Sequence, residues 1–583
     1  MSARTRLLAA ALAAVVAMLA GCASVPTEGP VRSGVDAADR RGDAIDLPAE
    51  RPRPGAMPRA IVSGFIEAMV SSTDVARLYL TTQAAKDWRP ETGTTIFDGT
   101  DKSVFRVTGA KNVVLEAPKV ATLDNRGAWS NAEPGATVRL DFNIVTENGE
   151  WRISQPPKGT LLEKTLLNVY QQRDLYFFTP GMDALVPEQV YLPRRVDGGQ
   201  DATQLVRALL AGPTRRLGDA VQTAIPIGTD VVSVPVGADG TATVSLNDRV
   251  SGLDADQRSK VAAQLARTLK QVPGVSKIQL IANGAPFEVG GTTGPQPIDN
   301  WQHFDAAYTA SRGRLYVVDA DSQVNRIDDV TALGQTPALN RLTGLVGYNK
   351  ESLAVDVDAR NGAAVTGQAI VVGPMEPERA TDAEKVPTDG EVLRPSYDMD
   401  GNLWVVDRAD EARIRVRRPD GELLVVNAPS LSGRSLRTFR VARDGVRVLA
   451  IIAGQQRDML VTGRITRTDR MVEISGVERV PVSFSRLKDA GWSRPTKLVL
   501  LGGSGGLNQM QELNVDGSEA APIPTTSVQA ENAPVVFNPV ELATAPNVES
   551  LLAVRNNSGQ VLIRQRDLTW RVLLKAGTPV YPG

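Results

Sequence analysis

Apolar and polar positions divide the chain into stretches of different character. Leu7 to Ala20 is an apolar run behind Arg4 and Arg6; at about fourteen residues it is short for a spanning helix but suits the core of a secretory signal. From Ala23 to Pro58 the prolines Pro26, Pro30, Pro48, Pro52, Pro54 and Pro58 stand among Gly, Ala and charged residues without apolar periodicity, the pattern of an extended tether. Fully stretched, some 35 residues of this kind reach on the order of 100 Å; the last ten serve equally well as a strip lying along the first domain. At Ala60 the pattern turns helical: Ile61, Phe65, Ala68 and Met69, then Val75, Leu78 and Tyr79, predict two short helices. Strand-like segments follow at Ser103–Thr108, Asn112–Ala117, Ala136–Val145 and Glu150–Ile153, so residues 59–158 read as an α+β domain. Residues 159–188 form a junction, with a helix expected over Leu161–Gln171 and a short strand at Leu175–Phe178. Over 189–290 the order is strand (Gln189–Leu192), helix (Thr203–Leu210), strands (Val231–Val236, Thr241–Leu246), a long helix (Asp254–Gln271) and a strand (Ser276–Ile281), an α/β unit.

From residue 300 to 583 the chain is rich in strands and repeats itself. GRLYVVD at Gly313–Asp319 matches GNLWVVD at Gly401–Asp407. Weaker copies are Glu351–Asp356, Gly445–Ile451, Thr496–Leu501 and Glu549–Val554. One four-stranded blade per copy makes a six-bladed β-propeller the economical architecture, with five or seven blades also compatible.

Composition narrows the function. At 583 residues the chain is too long for one core. Cys22 is its single cysteine and His303 its single histidine, so disulfides, thiolate metal sites and most histidine chemistry are absent. Removing residues 1–21 takes away Arg4 and Arg6, two of the 65 basic side chains, and none of the 66 acidic ones, leaving a net charge near −3. That balance offers no electrostatic case for nucleic acid. Beyond the leader no apolar run reaches membrane-spanning length.

Few constellations could carry chemistry. His303 lies in WQHFD, where it reads as a base beside Asp305 or as a packed histidine at a domain seam. Asp319 and Asp407 each end a blade strand; they read as channel carboxylates able to bind a cation or sugar, or as turn residues. LGGSGG at 501–506 lacks the Lys and Ser/Thr of a phosphate loop and reads as a hairpin turn. Arg413, Arg415, Arg417 and Arg418 present either a basic edge for an acidic partner or a solvated strand face. No catalytic residue, metal site or cofactor is assigned.

Several stretches resemble known families. Leu19, Ala20, Gly21 and Cys22 (LAGC) resemble a bacterial lipobox, in which Cys22 would carry the S-diacylglycerol and N-acyl chains; an ordinary signal peptide with a chance cysteine, or an uncleaved anchor, is the alternative. The helix-then-sheet order of 59–158, ending in WRI at 151–153, is similar to the NTF2-like fold. LAGP at 210–213, AIPIG at 224–228, Gly240–Asn247, AQLARTL at 263–269 and Val275–Pro286 resemble the GerMN domain. With CASVPTEGPV at 22–31 and the order of parts, the chain is similar to the LpqB lipoproteins of actinobacteria. That resemblance implies a non-enzymatic lipoprotein on the extracytoplasmic face of the cell membrane. It would contact the extracytoplasmic domain of the MtrB sensor kinase and modulate MtrAB signalling, cell-wall homeostasis and cell division. Two other classes stay open: an envelope glycan-acting propeller enzyme, and a scaffold binding cell-wall polymer.

Overall fold

The structure is a computed structural model. It describes residues 50–583, apart from 100–104, 109–110, 195–197, 306–313, 320, 328–339, 343–344, 346–351, 376–382, 469, 504–505, 529–533, 546–550, 566 and 575–576. The expected leader, the expected lipobox and most of the expected tether lie outside the described residues.

The N-terminal domain begins with α1 (Pro58–Ser71), α2 (Thr73–Arg77) and α3 (Thr82–Asp87). The third helix, not expected from periodicity, is set by its cap: Thr81 Oγ1 accepts from the backbone N–H of Ala84 at 3.2 Å. A sheet follows: β1 (Gly93–Phe97), β2 (Phe105–Val107), β3 (Asn112–Asp124), β4 (Trp129–Asn131), β5 (Thr137–Glu147), β6 (Glu150–Ile153) and β7 (Thr160–Glu163), with the path β6-β5-β3-β1-β7. Strand β3 runs on through Pro118, because the register against β1 slips between Ile96 and Phe97 and this bulge accommodates a residue without an N–H. The buried face of α1 packs Ile61, Val62, Phe65 and Met69 on the sheet. Phe65 meets Trp88 at 5.4 Å and Phe142 at 6.4 Å between ring centroids. With Tyr79 and Phe97 also buried, these aromatics fill the core between helix and sheet.

The junction differs from expectation. Thr160–Glu163 is a strand parallel to β1, Lys164–Val169 a 3-10 turn, and β8 (Tyr170–Phe178) pairs with β9 (Leu185–Pro193) as a long hairpin. The apolar recurrence in LLEKTLLNV fits a helix and a buried strand equally, and pairing with β1 decides it. The hairpin belongs to the next unit, because Leu175, Phe177, Val186 and Val190 share a core with α4 (Gly198–Leu210) and α5 (Ala255–Leu269).

In that unit Asp254 caps α5 in a reciprocal capping box with Gln257. Gly212 takes φ +80° just past α4, the left-handed conformation that ends a helix before Pro213. Strands β10 (Thr241–Leu246) and β11 (Lys277–Ala282) run parallel. The strand expected at 231–236 is irregular and touches β10 through the single bridges Val231–Leu246 and Val236–Ala242; Pro235 has no N–H to continue a ladder.

The propeller has six four-stranded blades among the described residues. Thr578–Val580 pairs with Leu315–Val318, so the end of the chain supplies the first strand of blade 1 and closes the ring. Blade 2 spans 352–386, blade 3 396–425, blade 4 436–480, blade 5 486–523 and blade 6 539–574. Five repeat copies fall on the second strand of a blade. The copy at 351–356 does not: Ser352–Val355 is the first strand of blade 2, and the true counterpart is Asn361–Thr366. Both segments are short apolar runs after a polar residue, and only the pairing separates them.

Candidate functional site

The residues singled out in the sequence are mostly structural. Asp319 closes the turn between two strands of blade 1, its Oδ1 accepting from the N–H of Gln323 at 2.9 Å and its Oδ2 from Asn325 Nδ2 at 2.8 Å. Asp407 is fully buried and clasped by Arg413 at 2.5 Å and Arg415 at 2.7 Å. These guanidinium bonds hold its carboxyl below the usual range in spite of burial. Two members of the arginine row, Arg415 and Arg417, are therefore inter-blade contacts, while Arg413 is held within blade 3. Arg415 also donates to Pro387 O at 2.5 Å and Arg417 to Glu384 at 2.6 Å, both on the blade 2 side, while Arg418 pairs locally with Glu422.

His303 is exposed, so the packed-histidine reading is corrected. Its neighbours Trp301 and Phe304 are the buried ones, Phe304 meeting Phe178 edge-on at 5.2 Å. Asp305 pairs with Arg267 at 2.9 Å, so its carboxylate is engaged away from a histidine dyad. Leu501–Gly503 ends a strand of blade 5 and the next begins at Gln509, which places LGGSGG in a hairpin connection; residues 504–505 lie outside the described set. Residues 19–22 also lie outside it.

Sequence patterns did not reveal the network on the propeller axis. Arg394, at the entrance to blade 3, donates to the carbonyls of Leu353, Leu542 and Pro579 at 3.2–3.3 Å, on the first strands of blades 2, 6 and 1. Arg440 of blade 4 donates to Arg394 O at 3.0 Å and approaches Asp489 of blade 5 at 3.5 Å. Asp489 in turn accepts from the N–H of Leu542 at 3.3 Å. All six blades meet through these groups, and the cavity left on the axis is only 40 Å³. Burial and the neighbouring Arg440 push the Arg394 guanidinium down to about 10.

A second network joins the three modules. In the β8–β9 register Gln172 lies opposite Tyr191 and Asp174 opposite Gln189, so these four polar side chains share one face of the hairpin. That face meets blade 5. Asn514 Nδ2 donates to Gln172 Oε1 at 3.2 Å and to the Tyr191 hydroxyl at 3.3 Å, and Tyr191 also bonds Ser518. From the N-terminal domain Asn131 Nδ2 donates to Asp516 O at 2.6 Å, and Arg216 donates to Trp129 O at 2.9 Å while pairing with Glu478 at 3.3 Å. Gly127 takes φ +81° with a Cβ site 2.2 Å from Tyr191 O, so only glycine permits the hairpin to approach there.

A cleft of about 1120 Å³ opens between the N-terminal domain and α4. It lies apart from the space between helix and sheet, which the aromatics fill. Its apolar wall includes Met69, Val70, Leu161 and Ala208, and its polar wall Thr94, Thr160, Tyr170, Arg126 and Arg207. Thr94 Oγ1 lies 2.8 Å from Thr160 Oγ1 and 2.9 Å from the Tyr170 hydroxyl.

Comparison with known proteins agrees with this division. Residues 51–168 match the family model described as the N-terminal domain of lipoprotein LpqB, 174–288 the one described as sporulation and spore germination, and 328–582 the LpqB beta-propeller domain. The chain belongs to the LpqB lipoprotein family. It is 28% identical to Lipoprotein LpqB of Streptomyces coelicolor over 99% of this chain and 98% of that one. It is also 28% identical to that of Cutibacterium acnes, over 98% of each. Among solved structures, TolB from Acinetobacter baumannii is similar at 13% identity and a TM-score of 0.34, covering 61% of this chain and 99% of that chain. The germination-family match begins at residue 174, in agreement with the hairpin's place in the second module. Among the described residues no helix is long and apolar enough to cross a membrane.

Proposed function

We propose that this LpqB-family chain is a regulatory lipoprotein, anchored through Cys22 on the extracytoplasmic face of the membrane, that binds the extracytoplasmic domain of the MtrB sensor kinase. Through that contact it modulates MtrAB signalling and, with it, cell-wall homeostasis and division. The observation that carries the reading is the junction centred on Tyr191, Asn514 and Asp516, where side chains of all three modules hold one another by hydrogen bonds. Such a body presents broad surfaces in a fixed arrangement, as a protein-recognition platform requires. The propeller axis supports the same reading, because its arginine network leaves 40 Å³, too small for a sugar-sized substrate. The two strand-ending carboxylates Asp319 and Asp407 are engaged in a turn and an ion pair, so the chemistry of a glycan-cleaving pair has no support from them.

The test is a titration of the full chain, in detergent micelles, with the soluble extracytoplasmic domain of MtrB. Saturable 1:1 binding is expected, and no heat or anisotropy change across the titration overturns the proposal.

A further inference from the structure

The cleft between the N-terminal domain and α4 has the construction of a ligand site rather than of a packing defect. Ligand pockets commonly span about 300–1,000 Å³ and favour domain boundaries, and this opening reaches 1120 Å³ at such a boundary. Two of its guanidiniums come from different modules. Arg126, in the turn between β3 and β4, donates to Pro213 O at 2.7 Å. Arg207, on α4, donates to Val232 O at 3.2 Å. Each is oriented by a neutral carbonyl, and among the described residues neither forms an ion pair with a carboxylate, so their charge is free to meet a ligand.

Two acids, Glu91 and Asp124, also line the cleft beside a third arginine, Arg77. Asp124 is directed into its own turn, its Oδ1 accepting from the N–H groups of Arg126 and Ala128 at 2.9 Å. Arg77 bonds the carbonyl of Trp88 and lies over the Trp88 ring, turned toward the helices. The guanidiniums available to a ligand are thus Arg126 and Arg207, and the carboxylates in the same lining are Glu91 and the turn-bound Asp124. In the same lining, the Thr94–Thr160–Tyr170 hydroxyls supply groups that both donate and accept, together with apolar side chains. Cations with a fork geometry suit carboxylate or phosphate, while hydroxyls and an apolar face suit a sugar ring.

We infer that this cleft binds an anionic sugar, one bearing carboxylate or phosphate, held between Arg126 of the first module and Arg207 of the second. A ligand in that position bridges the two modules and stabilises their arrangement by mass action. The inference does not depend on MtrB binding.

The test is calorimetric titration of the full chain in detergent micelles with three probes: trigalacturonate, glucose 1-phosphate and uncharged maltotriose. Saturable binding of at least one anion is expected, weakened by added salt, with maltotriose weaker by about tenfold or more. Which anion binds distinguishes carboxylate from phosphate recognition. Arg207→Gln, at an exposed position, should weaken the bound anion about tenfold with an unchanged melting temperature. Tyr170→Phe should weaken it less. Failure of both anions to bind, equal binding of maltotriose, or undiminished binding by Arg207→Gln overturns the inference.

Discussion

The ring of Tyr191 lies 5.5 Å from that of Trp129, tilted by 47°, while the hydroxyl of the same tyrosine reaches Ser518 and Asn514 of the propeller. One side chain on the second module therefore meets the first module with its ring and the third with its hydroxyl. Burial and the nearby Asp516 carboxylate push its ionisation well up, so the hydroxyl stays neutral through the physiological range.

Separating the two contacts is straightforward. Tyr191→Phe keeps the ring and removes the hydroxyl, and should cost about 1 kcal/mol, or somewhat more because Asn514 and Ser518 are left in a buried site. Tyr191→Ala removes both and should cost about 3–5 kcal/mol. Chemical denaturation followed by tryptophan fluorescence checks the order; equal losses would show that the ring contact contributes nothing.

The hairpin that carries Tyr191 is also the part least legible in the sequence. A long helix over Asp254–Gln271 was expected, close to the observed α5, and the propeller was evident from its repeats. The β8–β9 hairpin was obscured because its polar face, Gln172, Asp174, Gln189 and Tyr191, is covered by a module more than three hundred residues away in sequence. Local periodicity reports only whether a face is apolar, not whether another module will cover a polar one. For the same reason Arg394 and Arg126 carried no local signal: an isolated arginine acquires its role from the carbonyls that converge on it in space. The alternating arginines 413, 415 and 417 did carry a signal, but it could not distinguish solvent from the neighbouring blade.

Asp174 supplies a pH prediction. Burial lifts its carboxyl to about 6, although Arg447 and Lys497 of the propeller and Arg267 of α5 act in the opposite direction; Asp516 adds to the rise. In the unfolded chain an aspartate titrates near about 3.9. As pH rises, the unfolded chain loses this proton first, so the group's contribution to stability declines from about pH 4 to about pH 6 and stays low above that. Asp174→Asn abolishes the titration. The difference in denaturation midpoint between variant and parent should shift in the variant's favour as pH rises across that window, whereas a difference constant with pH would assign Asp174 an ordinary ionisation.

Arg394 predicts how the propeller is held shut. Arg394→Met retains much of the side chain's volume but leaves the carbonyls of Leu353, Leu542 and Pro579 without their donor. Each bond contributes about 1 kcal/mol net, and removing a desolvated charge offsets part of the loss, so a destabilisation of about 2 kcal/mol is expected. A urea midpoint that is unchanged or raised would mean that the ring closes on hydrophobic packing and strand pairing alone.

The proposed anchor sets the route by which any of these surfaces acts. A protein held on the outer face by lipid on Cys22 reaches cytoplasmic phosphorylation only through a partner that spans the membrane, whichever protein that partner is. Cys22→Ala removes the acceptor for the acyl chains and leaves the sequences of all three folded modules unchanged. One acyl chain holds a protein only marginally, but several together, at about 0.8 kcal/mol per buried methylene, make a durable anchor. Fractionation of cells producing the variant should therefore show it lost from the acylated membrane pool, while its melting temperature after purification matches the parent's. Retention in the membrane with the lipid demonstrably absent would move the anchor elsewhere in the chain, and with it the argument that signalling must pass through a spanning partner reached from outside.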